Sequence, residues 1–401
     1  MTLPHATLVR LFAFALPALA LTACRPHDFP QYPANYREFA YVTNGDSNTV
    51  SVLDVVNMRL DREIAVGLKP VAVAVSPTRN EVYVVNSGAA AEPGSVSVIN
   101  AENNTVAATI PVRRAPVSIE IDPAGGLAYV ANSASNSVSI LDLNSRREIA
   151  AIATGEQPVA ARLSPDRKTL AVANRKANSI SLIDPATRAT RATFDGCPGA
   201  SDLVILPDSS KLFAACSSGH QIMVLALARS ETHPSAANPQ PLPSRPDSLE
   251  AMLDVGKAPV QLALKPDGGE IFSSNALSNS ISEIYNTTDE VGGATMIGNY
   301  PVRGLVSADN SLLYVANLHS QYVTIYSIED GKLLSASQGG SIRVGDGPSA
   351  LAFSAAGHLL FAVDTGSNDV AVIRVSSRSL FTFLPTGRAP NAIVIKSFNT
   401  K

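Results

Sequence analysis

The chain has no tryptophan, three cysteines, six histidines and only 16% charged residues, and each shortage closes off a kind of chemistry. There is no Cys-x-x-Cys-His to attach a c-type haem. Equally missing are a Gly-x-Ser-x-Gly nucleophile turn, a His-Glu-x-x-His zinc helix and a glycine-rich phosphate loop. The few histidines leave few general bases, and no cofactor is expected. Lys and Arg form no run longer than a pair and the formal charge is −3. Nucleic acid is therefore not a partner, because neutralising phosphates needs clustered cations. Aromatics are also scarce, so Val, Ile, Leu and Ala must fill any core. That mixture suits strands, whose pleated surface packs β-branched side chains.

The N-terminus reads as a targeting segment. His5 and Arg10 precede an apolar run, Leu11–Leu21, that is too short for a permanent span. It ends in Leu21-Thr22-Ala23-Cys24, which resembles a bacterial lipobox. The resemblance implies cleavage after residue 23 and a lipid on Cys24. Arg25, rather than Asp, follows the cysteine, which by the same resemblance favours the outer membrane, facing the periplasm or the cell surface. An ordinary signal peptide, or a short anchor, is the alternative. Residues 24–38 hold Pro26, Pro30 and Pro33 and read as an extended tether.

From residue 39 onward the chain repeats itself. Tyr-Val-x-Asn occurs at Tyr41–Asn44, Tyr83–Asn86, Tyr129–Asn132 and Tyr314–Asn317, with weaker copies starting at Ala171, Phe213, Phe272 and Phe361. The anchors lie 42, 46, 42, 42, 59, 42 and 47 residues apart. Each unit splits into four short apolar runs, here called strands A to D, separated by turn residues. In the third copy these are Val117–Ile121, Ala128–Ala131, Val138–Leu143 and Ile149–Thr154. Short strands at a period of forty-odd residues mean propeller blades. The chain enters on a B strand, Phe39–Thr43, and leaves on an A strand, Ala392–Ile395. Eight B and eight A strands therefore predict an all-β, eight-bladed ring over residues 39–401, whose last strand completes the first blade and hides both sheet edges.

The Tyr-Val-Thr-Asn signature, its Asn-x-Val-Ser-Val-Ile-Asp continuation at Asn48–Asp54, Asn136–Asp142 and Asn178–Asp184, and the Gly-x-x-Pro leads at Gly67–Pro70 and Gly155–Pro158 resemble the YVTN-repeat (YncE-like) propellers. The resemblance covers essentially the whole chain after the tether. Many relatives have seven blades, so seven is the alternative count. The family resembles surface-layer, YncE-like and lactonase-like proteins alike, so it implies the fold more sharply than the function. Without tryptophan, the blade-docking pattern of quinone-dependent dehydrogenase propellers cannot form.

The recurring Asn pairs bracket the B–C turns, where Asn tolerates left-handed backbone and bonds across a tight turn. Lacking alternating carboxylates, they are poor calcium ligands. The fifth blade breaks the pattern three times: Cys216 replaces the motif Asn, His220 the second Asn, and Cys197 the glycine before strand A. All three belong on one rim. A Cys197–Cys216 disulfide suits an oxidising envelope; two free thiols in small sites, or a Cys-Cys-His metal or redox centre, are the alternatives. His319 lies on the same rim but reads as a turn residue. Blade five also carries 17 surplus residues around Arg229–Leu249, with five prolines, read as an exposed C–D loop.

The inner strands break pattern too. Glu120 and Arg162 take equivalent places in blades three and four, and Asp202, Gln261 and Arg303 do so in blades five to seven, nearer the B–C rim. They form either inter-blade ion pairs or a polar funnel for an axial ligand, in which His220 joins the same sector. The function expected is a monomeric, envelope-displayed module that binds a small ligand or an envelope protein. A lactonase-like hydrolase, or an oxidoreductase, working at the channel mouth with Asp202, Arg303 and Glu120 is the alternative. The anchoring part is checked by Cys24→Ser. The substitution should leave an unacylated N-terminus and move the protein out of the membrane fraction, whereas unchanged fractionation would contradict the lipid anchor.

Overall fold

The computed structural model describes residues 31–229 and 243–400. The signal segment, Cys24, the first part of the tether and residues 230–242 of the blade-five loop lie outside the described residues.

The chain folds into eight antiparallel sheets arranged as a propeller. The second blade shows the unit: strand A is Pro70–Val75, B is Glu81–Asn86, C is Pro93–Asn100 and D is Thr105–Arg114. The inner A strands of blades three to eight are Pro116–Ile121, Pro158–Leu163, Ala200–Ile205, Pro259–Leu264, Pro301–Val306 and Pro348–Phe353. Proline suits this first position because it needs no ladder hydrogen bond there. Burial falls off outward: B strands such as Leu127–Asn132 are buried almost throughout, while D strands such as Arg147–Ala153 are largely open to water. Strands covered on both faces need apolar residues at every position, and B and C supply them.

The ring closes as the strand count requires. Pro390–Asn399 lies beside Tyr36–Asn44 with Thr43 opposite Ala392 and Ala40 opposite Ile395, completing blade one. Glu38, 1% exposed, stitches this seam. Its carboxylate accepts the Tyr36 hydroxyl at 2.8 Å and the Ala355 N–H of blade eight at 2.7 Å.

The core is a series of wedges between neighbouring blades. One wedge joins Tyr83, Val85, Val96 and Val98 of blade two to Val130 and Leu141 of blade three, and others fill the later junctions. The motif's first position is the largest wedge residue: Tyr41, Tyr83, Tyr129, Phe213, Phe272, Tyr314 and Phe361 are all buried. At ~25 cal/mol per Å², each such ring contributes several kcal/mol of gross burial, so the scarce aromatics sit where they count most.

Two contacts repeat at the blade junctions on the B–C rim. In the first, the second Asn of a turn adopts a left-handed conformation and its Oδ1 accepts an N–H just ahead of the next inner strand. Lys69 donates to Asn48 at 2.8 Å, Gln157 to Asn136 at 3.0 Å and Tyr300 to Asn279 at 2.9 Å. In the second, the glycine of Gly-x-x-Pro packs against the motif side chain ending the following B strand. A Cβ on Gly67 would meet the Asn86 amide at 2.7 Å, and one on Gly155 would meet Asn174 at 2.8 Å. Glycine is required there for close approach. In blade five that space holds Cys197 and Cys216, joined as a disulfide with Cα atoms 4.8 Å apart, well inside the reach of such a bridge.

Blade seven departs from the expected four-strand unit. Its outer strand is split into Lys332–Leu333 and Ser341–Arg343 around a short 3-10 turn, Ala336–Gln338. In blade five the outer strand begins at Ser248, so the last two residues assigned to the loop, Ser248 and Leu249, are strand.

Blade eight carries Asp364 in the motif Asn position. It is fully buried, and one oxygen accepts the Gly345 N–H at 2.9 Å. Burial chiefly, with the Asp369 carboxylate adding to it against the Gly345 bond, pushes its pKa up to about 8. The folded state thus keeps a proton that an unfolded Asp releases near pH 4. Between these limits folding binds the extra proton, so stability falls as pH rises from about 4 to about 8 and is flat above. Asp364→Asn should remove that fall. Urea denaturation at pH 5 and pH 8 should show the wild type losing a few kcal/mol more than the variant; parallel losses would contradict the assignment.

Candidate functional site

The inner strands have one unpaired edge facing the lumen, which leaves backbone N–H and C=O groups in need of partners. The side chains that break the repeat answer this need. Register places Ala72, Ser118, Ala160, Asp202, Gln261, Arg303, Ala350 and Ala392 on one level of the ring, with Glu120 and Arg162 one step farther from the B–C rim. The two levels match those read from the sequence.

Most of the polar set is wired from blade to blade. Glu120 accepts the Leu163 N–H at 3.4 Å, Asp202 the Leu262 N–H at 3.1 Å, and Gln261 the Gly304 N–H at 2.7 Å. Gln261 also donates to the Leu262 carbonyl at 2.6 Å. Arg162 sits between two carboxylates, 3.4 Å from Asp202 and 3.8 Å from Glu120, and donates to the Ala161 carbonyl. Burial raises the pKa of Glu120, with Arg162 and the Leu163 N–H opposing.

Arg303 ends this series. Among the described residues its guanidinium makes no hydrogen bond or ion pair, and its only resolved interactions are longer-range ones with Asp202 and Arg162. Its neighbours in the next blade, Ala350 and Leu351, offer no acceptor side chain. Its side chain is open to lumen water, yet enclosure by the surrounding strands pulls its pKa below the ordinary arginine value; Asp202 opposes this and Arg162 adds to it. An arginine so placed still carries its charge at neutral pH.

Along the lumen the described residues enclose a chamber of about 370 Å³ toward the B–C rim and another of about 360 Å³ beyond it. Arg162, Asp202, Gln261 and Arg303 line both, so this belt stands at the boundary between them. Of the candidate residues, Glu120 joins the belt through Arg162. His220 does not line either chamber. It takes the turn position of the second Asn, with φ 58°, and its Nδ1 accepts the Ala258 N–H at 3.2 Å. Both cysteine sulfurs are bonded to each other. The imidazole of His319 stacks on Tyr300, ring centroids 4.3 Å apart, out on the rim.

Sequence reasoning missed four polar lumen residues: Ser118, whose buried Oγ has no partner among the described residues, and Ser201, Ser349 and Asn391. Ser201 donates to the Pro259 carbonyl at 3.1 Å and Asn391 to the Pro70 carbonyl at 3.0 Å. Ser349 pairs at 2.7 Å with Thr365, which donates to the Pro390 carbonyl. For the last three the signal was present, since the same position is Val71, Val117, Val159, Val260 and Val302 elsewhere. Among the described residues the lumen therefore offers one cation with no hydrogen bond or ion pair, a set of carboxylates already bonded, and no Cys, His or Lys on either chamber wall.

No curated protein matches the chain in sequence. Among solved structures it is similar to a chain of hydrazine synthase from Kuenenia stuttgartiensis, at 21% identity and TM-score 0.56, covering 77% of this chain and 96% of that one. It is also similar to dihydro-heme d1 dehydrogenase NirN in complex with DHE, at 16% identity and TM-score 0.69, covering 94% of this chain and 78% of that one. A third is a functionally unknown protein from Desulfotomaculum acetoxidans, at 13% identity and TM-score 0.56, covering 89% of this chain and 98% of that one. At such identities the likeness shows the fold alone. Residues 105–227, from the outer strand of blade two to the third strand of blade five, match the family of YNCE-like beta-propellers. Over those residues the chain is similar to the YNCE-like β-propellers, and the described residues close into a propeller of eight blades.

Proposed function

We propose that this propeller is a binding module, a monomer held on the bacterial envelope by a lipid on Cys24, which takes a small ligand into its rim-side chamber. The observation that carries the proposal is Arg303. Its side chain is open to the lumen, so its guanidinium donors stand ready for whatever enters the chamber. Every other charged or amide side chain of the belt has a bonded protein partner, and among the described residues this one has none.

Turnover is the weaker reading. A lactonase working through Asp202 needs a carboxylate oxygen free to receive a proton. One oxygen of Asp202 takes the Leu262 N–H and the other faces Arg162. Two of the similar structures are named as enzymes, but the likeness carries no catalytic residue to this chain.

The two roles respond differently to substitution. Arg162→Ala removes two ion pairs and leaves Asp202 and Glu120 without their cation, so its thermal midpoint should fall by several degrees. Arg303→Ala removes no hydrogen bond or ion pair among the described residues and should leave the midpoint within about 2 °C, equivalent to less than about 1 kcal/mol at this size. Ligands found by thermal-shift screening of a metabolite library should bind the wild type and not Arg303→Ala. Hydrolysis of a lactone panel that is lost in Asp202→Asn would overturn the non-enzymatic reading.

A further inference from the structure

We infer that the rim-side chamber takes a small, overall uncharged molecule rich in hydroxyls, a monosaccharide or cyclic polyol, with its oxygens on Arg303 and its hydroxyl hydrogens on the serines of the chamber lining. The inference rests on the binding reading above and adds the class of ligand.

The unspent donors and acceptors of the lining set the chemical group. Arg303 offers only donors, and among the described residues no protein acceptor takes them. Two serines of the same chamber offer the opposite. Ser201 gives its one hydrogen to the Pro259 carbonyl at 3.1 Å or the Ala215 carbonyl at 3.2 Å. Thr365 gives its own to the Pro390 carbonyl at 2.6 Å, so Ser349 is the donor in the 2.7 Å Ser349–Thr365 pair. Toward the chamber both serine oxygens can therefore only accept. Ser118, on the level of Arg303 in blade three, has an Oγ with no partner among the described residues and can do either. A carboxylate only accepts, so it would leave Ser201 and Ser349 unmet; an ammonium only donates, so it would leave Arg303 unmet. A hydroxyl does both, and a ring bearing several of them matches each kind of group in the lining.

Charge agrees with this. Within the belt Arg162 and Arg303 are balanced by Glu120 and Asp202, so a neutral ligand leaves the sum at zero and an anion or a cation does not. The carboxylates are also engaged, Asp202 with the Leu262 N–H and Arg162, Glu120 with the Leu163 N–H and Arg162. No free anion stands ready for a cationic group. Among the polar residues stand Ala72, Ala350 and Ala392, whose small side chains leave room for a ring and meet its C–H edges. At about 370 Å³ the chamber lies at the small end of ligand sites, which suits one ring rather than a chain of them.

The test is calorimetric titration of the full chain with glucose, galactose and myo-inositol. Glucuronate and glucosamine serve as rings of the same size with a charge of either sign, and cyclohexanol as a ring with one hydroxyl. At least one neutral polyol should bind at millimolar concentration or below, at least tenfold more tightly than every comparator, about 1.4 kcal/mol. Arg303→Ala and the double variant Ser201→Val/Ser349→Val should each weaken it at least tenfold. Valine holds that strand position in five other blades, so the double variant keeps the packing of the repeat. Ala392→Phe, which fills the chamber, should abolish binding; Ala350→Leu serves the same end if the first variant fails to fold. A comparator that binds as tightly as the best polyol, or no polyol binding at millimolar concentration, would overturn the ligand class. If the comparator that binds is still blocked by Ala392→Phe, the chamber reading survives that failure. Polyol binding indifferent to Arg303→Ala, to the double valine variant and to the filling variants would instead overturn the chamber reading itself.

Discussion

The ring depends on a small contact made on the B–C rim, where the residue leading into each inner strand lies against the side chain that ends the next strand. In six blades a glycine meets Asn or, in blade eight, Asp. The contact leaves no room for a Cβ, so it fixes the path of the chain from the outer strand of one blade to the inner strand of the next. Blade five meets the same constraint covalently, with Cys197 and Cys216 in the two places. Blade three meets it by extending the preceding outer strand, Thr105–Arg114, through the glycine position, which is Arg113 there. Protein interiors tolerate such changes only when both partners change together, and in blade five they do.

Because every inner strand enters at the same level, their side chains form stacked rings around the axis. A ring of identical blades would line that axis with Ala and Val and offer a ligand nothing specific. Here blades three to seven substitute polar groups on adjacent levels, and each acceptor reaches the exposed backbone of its neighbour. The residues of this cluster therefore divide. Glu120, Arg162, Asp202 and Gln261 tie blades together, while Arg303, with no acceptor bonded in blade eight, is left facing the lumen. The candidate site is what remains where the tie ends.

The fold was legible because the repeat overstates it: eight anchors at near-constant spacing, and a first and last strand that belong to the same unit. The disulfide was legible because two cysteines broke the pattern at places that meet on one rim. His220 was legible as an anomaly, but not in its role. Its left-handed backbone and its Nδ1 acceptor reproduce what Asn does elsewhere, and a one-letter pattern does not show that equivalence. Asp202, Gln261 and Arg303 look alike in sequence, as polar replacements at one position. Only the geometry shows that two of them are consumed by N–H groups of the following strand. Ser201, Ser349 and Asn391 were overlooked because a polar residue among valines on a lumen strand is easily read as solvent-facing, when each in fact binds the next blade, Ser349 through Thr365. The split outer strand of blade seven had no signal beyond a five-residue excess in spacing.

The interchangeability of the rim contacts is tested most directly by comparing the wild type with Cys197→Gly/Cys216→Asn and with Cys197→Ala/Cys216→Ala, by urea denaturation with and without reductant. A bridge closing a loop of about this length is worth about 3 kcal/mol, so reduction should lower the wild type by that order. The glycine–asparagine variant should be indifferent to reductant and more stable than the double alanine, because it restores the contact the other blades use. A glycine–asparagine variant no more stable than the double alanine would show that the disulfide does something other than stand in for that contact.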